Sequence, residues 1–329
     1  MKRILWVTWQ EHRRNLPIAE AIGAEFHEIL VDGPKPLRWL TCVVRTAALY
    51  WTRPDVVICM NPSEVLALFT VLARPLFGYR AGIDTHNFGL GLEDRTPMRR
   101  RIARFLMRRA DFIIVTNPAL AEHVERHGGR PVVVPDRIPD IPPPAAEAEK
   151  SERPSHRVNL LFICTFAEDE PYLEVFEAAR LLYEQHASGQ TPDIGIWVTG
   201  RYQAHVDPSD HTPNLHFLGY LSNEAYDRIL HRVDGVIDLT TREHCLVCGA
   251  YESVAVGKPM VLSDTAALRT HFHRGAVYSG NERHALAASM KALAADLSQL
   301  TEQAGQLQTI LQADWERSRN ALEQVVLGR

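Results

Sequence analysis

The amino-acid sequence predicts an α/β protein made of two doubly wound domains in tandem, and three observations carry that prediction. Short apolar runs, unbroken rather than alternating, recur along the chain between stretches of helical spacing. Strands buried on both faces of a parallel sheet read this way. The alternation stops at Ile138–Arg157, rich in proline, alanine and charge, and then restarts. The length of 329 residues is that of two domains of about 150 residues each.

In the first half, ILWVTW is the first strand, NLPIAEAIG a short helix stopped by glycine, VRTAALYW a second helix and DVVICM a buried strand. SEVLALFTVLARPLFG has helical spacing, and RAGID is a strand that runs into the polar cluster THN. PMRRRIARFLMRRA and PALAEHVERHGG are helices with proline in the first turn, where its missing N–H costs nothing. DFIIVT and PVVVPD are the strands that go with them. The second half repeats the scheme with strands NLLFICTF, DIGIWVTG, NLHFLG, GVIDL and PMVLS, and with helices such as EVFEAARLLYEQH and NEAYDRILHRV between them. The expected division is a first domain over 1–140, a linker over 141–157, a second domain over 158–311 and a terminal helix over 312–329. Ligands of such sheets bind beyond the carboxyl ends of strands, so a cleft between two of them is the expected site.

Composition narrows the function classes. The chain is 46% hydrophobic and 23% charged, with a net charge of −4, which gives no case for nucleic acid. No apolar run approaches the roughly 18 residues of a membrane span. MKRILWVTWQEHRRN reads as a first strand rather than a signal peptide. The five cysteines are an odd number, as expected for reduced thiols in a cytoplasmic protein.

The densest chemistry lies in EHCLVCGAYESVAVGKP, Glu243–Pro259. Cys245 and Cys248 have C-x-x-C spacing but no second ligand pair, so they read as small packing residues and not as a metal or redox site. With NLHFLGYLSNEAYDRIL before it and MVLSD after it, this stretch resembles the second domain of GT-B glycosyltransferases, and glycosyltransferase family 4 most closely. The resemblance extends over essentially the whole chain, including ADWERSRNALEQV, which is similar to the family's final helix crossing back to the first domain.

That resemblance implies two Rossmann-like domains facing each other across a cleft, and transfer of a sugar from a nucleotide diphosphate-sugar to a glycan or lipid-linked acceptor. It implies retention of anomeric configuration, and no cofactor or metal. No Asp-x-Asp pair at a strand end is present to hold Mg²⁺ against a diphosphate. Glu252 matches the glutamate that bonds the ribose, a role that suits a carboxylate accepting two hydroxyls. Cys248, Gly249 and Ala250 match the helix start whose free N–H groups suit a diphosphate. The family's first glutamate, with seven residues between it and the second, falls on His244, and Glu243 is one residue early; either can take its place. The usual Arg and Lys after the first strand of this domain are absent, which leaves Arg201 and Arg242 as the cations for the diphosphate. Glu168, Asp169 and Glu170 stand there instead, where they can contact donor hydroxyls or base. In the first domain, IDTHN resembles the segment that faces the transferred sugar, which makes His86 and Asp84 the candidate catalytic residues. Glu11, Arg13, Arg14 and Asn15 occupy the place of the loop that faces phosphates and acceptor, without its usual glycine pair.

The helix from Arg99 to Arg109 carries six arginines and no acid on a mildly acidic chain. Such a patch attracts anionic lipid, so a cytoplasmic enzyme peripheral to the inner face of the membrane is expected. Two other readings of the same fold stay open: a nucleotide-sugar epimerase, and a non-catalytic donor-binding subunit of a transferase complex.

Overall fold

A computed structural model describes residues 2–61, 63–92, 96–144 and 156–328. Residues 145–155 of the expected linker lie outside these. The chain divides into two compact units: unit 1 runs to Arg137 and takes in the tail from Ala313, and unit 2 is Ile138–Gln312. The division falls at Arg137 because Ile138 is buried with Val247, Ala250 and Tyr251 of unit 2.

Unit 1 runs β1 (Ile4–Thr8), α1 (Asn15–Ala21), β2 (Glu25–Glu28), α2 (Lys35–Trp51), β3 (Val56–Asn61), α3 (Glu64–Phe77), β4 (Arg80–Thr85), α4 (Pro97–Arg109), β5 (Phe112–Val115), α5 (Pro118–Arg126) and β6 (Pro131–Val133). Its six strands pair in parallel in the order β2-β1-β3-β4-β5-β6. Alternate residues point to opposite faces of a strand, and each face has its own core. Leu5, Val7, Val57, Cys59, Ala81 and Ile83 pack under α2, α3, α4 and α5. Ile4, Trp6, Val56, Ile58 and Phe112 pack under α1 and under Leu322 and Val326 of the tail. Asn117 caps α5 by accepting the Leu120 N–H, one residue before the Pro118 that the sequence places in the first turn.

Unit 2 runs β7 (Val158–Phe162), α6 (Tyr172–Ala187), β8 (Ile194–Thr199), β9 (Leu215–Gly219), α7 (Asn223–Arg232), β10 (Gly235–Asp238), α8 (Cys248–Ala255), β11 (Met260–Ser263), α9 (Ala266–His271), β12 (Ala276–Ser279) and α10 (Arg283–Ala295), and leads into α11 (Leu297–Leu327). Its parallel sheet has the order β12-β11-β10-β7-β8-β9. Counted within the unit this is the doubly wound order 3-2-1-4-5-6, with its switch point between β7 and β10. In unit 1 the order reverses between β1 and β3. These two points, at the carboxyl ends of the strands, are where a bound ligand is expected in each unit.

β2 and β12 are the elements the sequence reading lacks. Both are four-residue edge strands with half-exposed side chains, EFHE and AVYS, so neither shows a buried apolar run. Among the described residues no helix is long and apolar enough to cross a membrane.

Candidate functional site

In unit 1 the carboxyl ends of β1, β3 and β4 gather a polar cluster around a buried cation. Arg14, 5% exposed, follows β1 and turns inward. Its Nε lies 3.1 Å from Oδ2 of the fully buried Asp84 at the end of β4. Its Nη1 donates to Asp136 at 2.5 Å, and its Nη2 donates to the Val134 carbonyl at 2.6 Å. Burial works against the guanidinium charge; Asp84 and then Asp136 outweigh it and hold its pKa above the ordinary arginine value. Burial also pushes Asp136 upward, and the Arg14 charge overcomes this and holds its carboxyl below the usual range. One cation thus ties the segment after β1 to β4 and to the segment after β6.

His86, two residues beyond Asp84, stacks on His12 with ring centroids 5.6 Å apart. Its Nε2 is buried and has no hydrogen-bond partner in the protein, and the same is true of the Asn61 and Asn87 side-chain oxygens. Burial is the main cause that lowers the His86 pKa, with Asp84 opposing, so its neutral form is favoured. Buried polar atoms are nearly always paired, so three unpaired ones at adjacent strand ends mark a place for a polar ligand or water. Asn61 donates to the Gly89 carbonyl at 3.2 Å, and a Cβ at position 89 would lie 2.3 Å from the Thr85 hydroxyl and 2.6 Å from Asn61 Nδ2. Only glycine lets the turn after His86 come this close.

In unit 2 three carboxylates converge on the switch point. Glu252 sits in the second turn of α8, 8% exposed, and accepts the phenolic proton of Tyr226 from α7. Asp238, the last residue of β10, accepts the Ala250 N–H at 3.1 Å. Burial first, then the Glu252 and Glu170 charges, push its pKa well above the usual carboxylate range. Glu170 accepts N–H bonds from Thr165 at 2.8 Å and Ala167 at 3.0 Å and so shapes the loop after β7. Asp169 accepts the Thr240 hydroxyl at 2.8 Å, its carbonyl accepts the Thr241 N–H, and its carboxylate lies 3.2 Å from Arg242. The loops after β7 and β10 are therefore fastened together. Arg201 lies exposed after β8, its guanidinium 4.9 Å from the centre of the Tyr220 ring.

The structure changes several expectations. Arg14 and Asn15, expected on a loop facing phosphates, are both buried within unit 1. Arg14 is consumed by Asp84 and Asp136, and Asn15 accepts the Trp6 indole N–H inside the core. Asp84 is correspondingly fully buried, with Arg14 as its partner. Glu11 and Arg13 are exposed. The start of α8 is not a row of open N–H groups, since Ala250 donates to Asp238. Gly249 is packed so tightly there that a Cβ would lie 2.6 Å from Asp238 Oδ2 and 2.5 Å from Ile163 Cδ1. Glu243 is exposed and accepts the Ala266 N–H at the start of α9, while His244 is half-buried. Cys248 is exposed and Cys245 half-buried. Among the described residues no group of three His, Cys, Asp or Glu is placed to hold a metal ion.

Sequence reasoning missed His12, Asn61, Asn87, Asp136, Tyr226 and Asp238. Asp238 was hidden inside the apolar run GVIDL, where an acid at the end of a buried strand is itself a signal. Asn87 stands in the quoted IDTHN and could have been taken with His86. The others carry no local signal.

Residues 6–136 match the model of a family described as the glycosyl transferase 4-like domain. No curated protein sequence matches the chain. Among solved structures, the chain is similar to the Anabaena protein HepE in complex with UDP, with a TM-score of 0.73 and 14% identity over 99% of this chain and 100% of that one. It is similar to a glycosyltransferase from Rickettsia africae, with a TM-score of 0.75 and 13% identity over 99% of both chains. The sucrose-phosphate synthase of Thermosynechococcus elongatus gives 0.72 and 13% identity over 99% of this chain and 98% of that one. At such identity the likeness is one of fold.

Proposed function

We propose that this chain, which has the GT-B fold and a glycosyl transferase 4-like first domain, is a glycosyltransferase that takes its sugar from a nucleotide diphosphate-sugar. The observation that carries the reading is Glu252: a carboxylate only 8% exposed, in the second turn of α8 at the switch point of the unit 2 sheet and fixed by Tyr226. A carboxylate there can accept neighbouring ribose hydroxyls. HepE, with the same fold, is described in complex with UDP, which supports a uridine donor.

In this reading unit 2 holds the donor. Because Ala250 N–H is occupied by Asp238, the diphosphate is met by Arg201 and Arg242 and by the positive end of α8. Glu243 and His244 lie at the edge of this donor site, and Cys248 and Gly249 set its floor. In unit 1, neutral His86 has Nε2, and Asn61 and Asn87 their side-chain oxygens, open to a sugar hydroxyl. Asp84 and Arg14 position that segment and touch no substrate. In the reaction an acceptor oxygen forms the new bond to the anomeric carbon. The nucleoside diphosphate leaves with the electron pair of the old bond, and the proton of the acceptor hydroxyl passes to the departing diphosphate oxygen. Retention, metal independence and a glycan or lipid-linked acceptor complete the proposal; the family likeness supports them.

Titration calorimetry with UDP and UDP-sugars tests it. Glu252→Gln should weaken UDP binding by about 1.5–3 kcal/mol, the usual worth of hydrogen bonds to a charged group, with the melting temperature little changed. Equal affinity in the variant would remove the donor site from this place.

A further inference from the structure

The outer surface of unit 1 is not what a solvent-facing helical layer should be. Helices α2, α3 and α4 cover one face of the unit 1 sheet, and α3 lies between the other two and touches both. The buried side of α2 is Cys42, Thr46 and Tyr50, spaced by four. At 3.6 residues per turn the opposite side carries Leu37, Leu40, Val44 and Trp51. These are 63%, 61%, 60% and 75% exposed. On α3, Leu72 and Leu76 stand one turn apart at 62% and 72%. A helix of an α/β layer normally turns a polar side to water; α2 is apolar on both sides.

The charge around this apolar stripe is mostly positive, although Arg74 pairs with Asp111 and Arg99 lies near Glu64. The three helices hold Lys35, Arg38 and Arg45 on α2, Arg74 on α3 and six arginines on α4, against the single carboxylate of Glu64. The whole chain has a net charge of −4, so this layer is strongly segregated. A cleft of about 380 Å³ opens on α4, and its described lining is Arg101, Arg104, Arg108, Arg109 and Phe105. Cations around a cleft on α4, with exposed leucines and a tryptophan on α2 and α3 of the same layer, match a lipid surface with anionic headgroups. A second copy of the chain would bring two such cationic faces together, which opposes self-association. Nucleic acid gives no use for the aliphatic stripe.

We infer that the α2–α3–α4 layer of unit 1 is a docking face for an anionic lipid bilayer. The side chains of Leu37, Leu40, Val44 and Trp51 enter the headgroup boundary, and the α4 cleft holds a lipid phosphate. This goes beyond an arginine-only attraction: α2 supplies the anchoring and α4 the charge. It does not rest on the transferase reading, because nucleotide binding belongs to unit 2 and is read separately.

Co-sedimentation of the full-length protein with vesicles tests it, using phosphatidylcholine alone and phosphatidylcholine mixed with phosphatidylglycerol, at low and high salt. The wild type should bind the mixed vesicles, bind the neutral ones weakly, and lose part of its binding as salt rises. The variant Arg101→Gln/Arg104→Gln/Arg108→Gln should bind the mixed vesicles about tenfold or more weakly. The variant Leu40→Gln/Val44→Gln/Leu76→Gln should lose the binding that survives high salt. Both change exposed residues, and melting temperature and UDP affinity on the same samples report whether the fold and the donor site are intact. Should either variant fail to fold, the wild type still decides: mixed vesicles should shift its tryptophan emission to the blue, and Trp51→Phe should remove that shift. Indifference of the wild type to mixed vesicles at low salt overturns the inference. So does equal binding to neutral vesicles, or a wild type that sediments alone as a dimer while the leucine and valine variant is a monomer.

Discussion

Arg14 serves two carboxylates, and that ratio makes its removal distinguishable from the removal of either acid. In Asp84→Asn the guanidinium keeps Asp136 and the Val134 carbonyl, so a 1:1 ion pair survives. What is lost is the charge-assisted part of the contacts to Asp84 at 3.1–3.2 Å, about 1.5–3 kcal/mol. Arg14→Met instead leaves Asp84, fully buried, with no counter-charge. Stranding one partner of a buried pair costs about 3–5 kcal/mol, and here Asp136 is stranded as well. The double variant Arg14→Met/Asp84→Asn removes the stranded charge and should recover at least about 1 kcal/mol of what Arg14→Met alone loses. Urea unfolding followed by fluorescence that includes the buried Trp6 gives the three values. If Arg14→Met is no worse than Asp84→Asn, or if the double variant is the least stable of the three, the cation is not the hub of this cluster.

Asp238 has a raised pKa in the folded chain, so the folded state holds a proton that the unfolded state releases above about pH 4. Its contribution is present below that pH and is lost as pH rises toward the folded value. Asp238→Asn keeps an uncharged acceptor for Ala250, so its melting temperature should gain on the wild type as pH rises; a difference independent of pH would contradict this. Gly249→Ala should cost about 1–3 kcal/mol in thermal or urea unfolding, because the new methyl group meets Asp238 and Ile163 inside contact distance; a neutral result would mean that α8 can slide. Transfer of sugar should be unaffected by excess EDTA, since Asp169, Glu170 and Asp238 are each engaged by protein donors or cations; loss of activity restored by Mg²⁺ would contradict it.

Most of the fold was legible because buried parallel strands leave continuous apolar runs. VVICM, FIIV and NLLF need no partner to be recognised. EFHE and AVYS are edge strands whose side chains are half in water, and there the signal fades. Of the candidate site, the sequence marks only the residues at a strand end or helix start, such as His86 and Glu252. Arg14 was misread because an arginine in a polar loop reads as exposed. What buries it are partners 70 and 122 residues away, brought together by strand order alone. Tyr226 reaches Glu252 across 26 residues for the same reason.

The fastening of Asp169 to Thr240, Thr241 and Arg242 has a mechanical consequence. The loops that follow β7 and β10 border the switch point, and with three links between them they act as one jaw rather than two. A ligand that pushes on Arg242 also moves the segment that Glu170 shapes. Such a floor cannot mould itself separately to the two ends of a bound molecule. Replacing the Asp169 side chain would remove two of the three links and leave the loops joined there by the backbone bond to Thr241 alone, a hinge in place of a clamp.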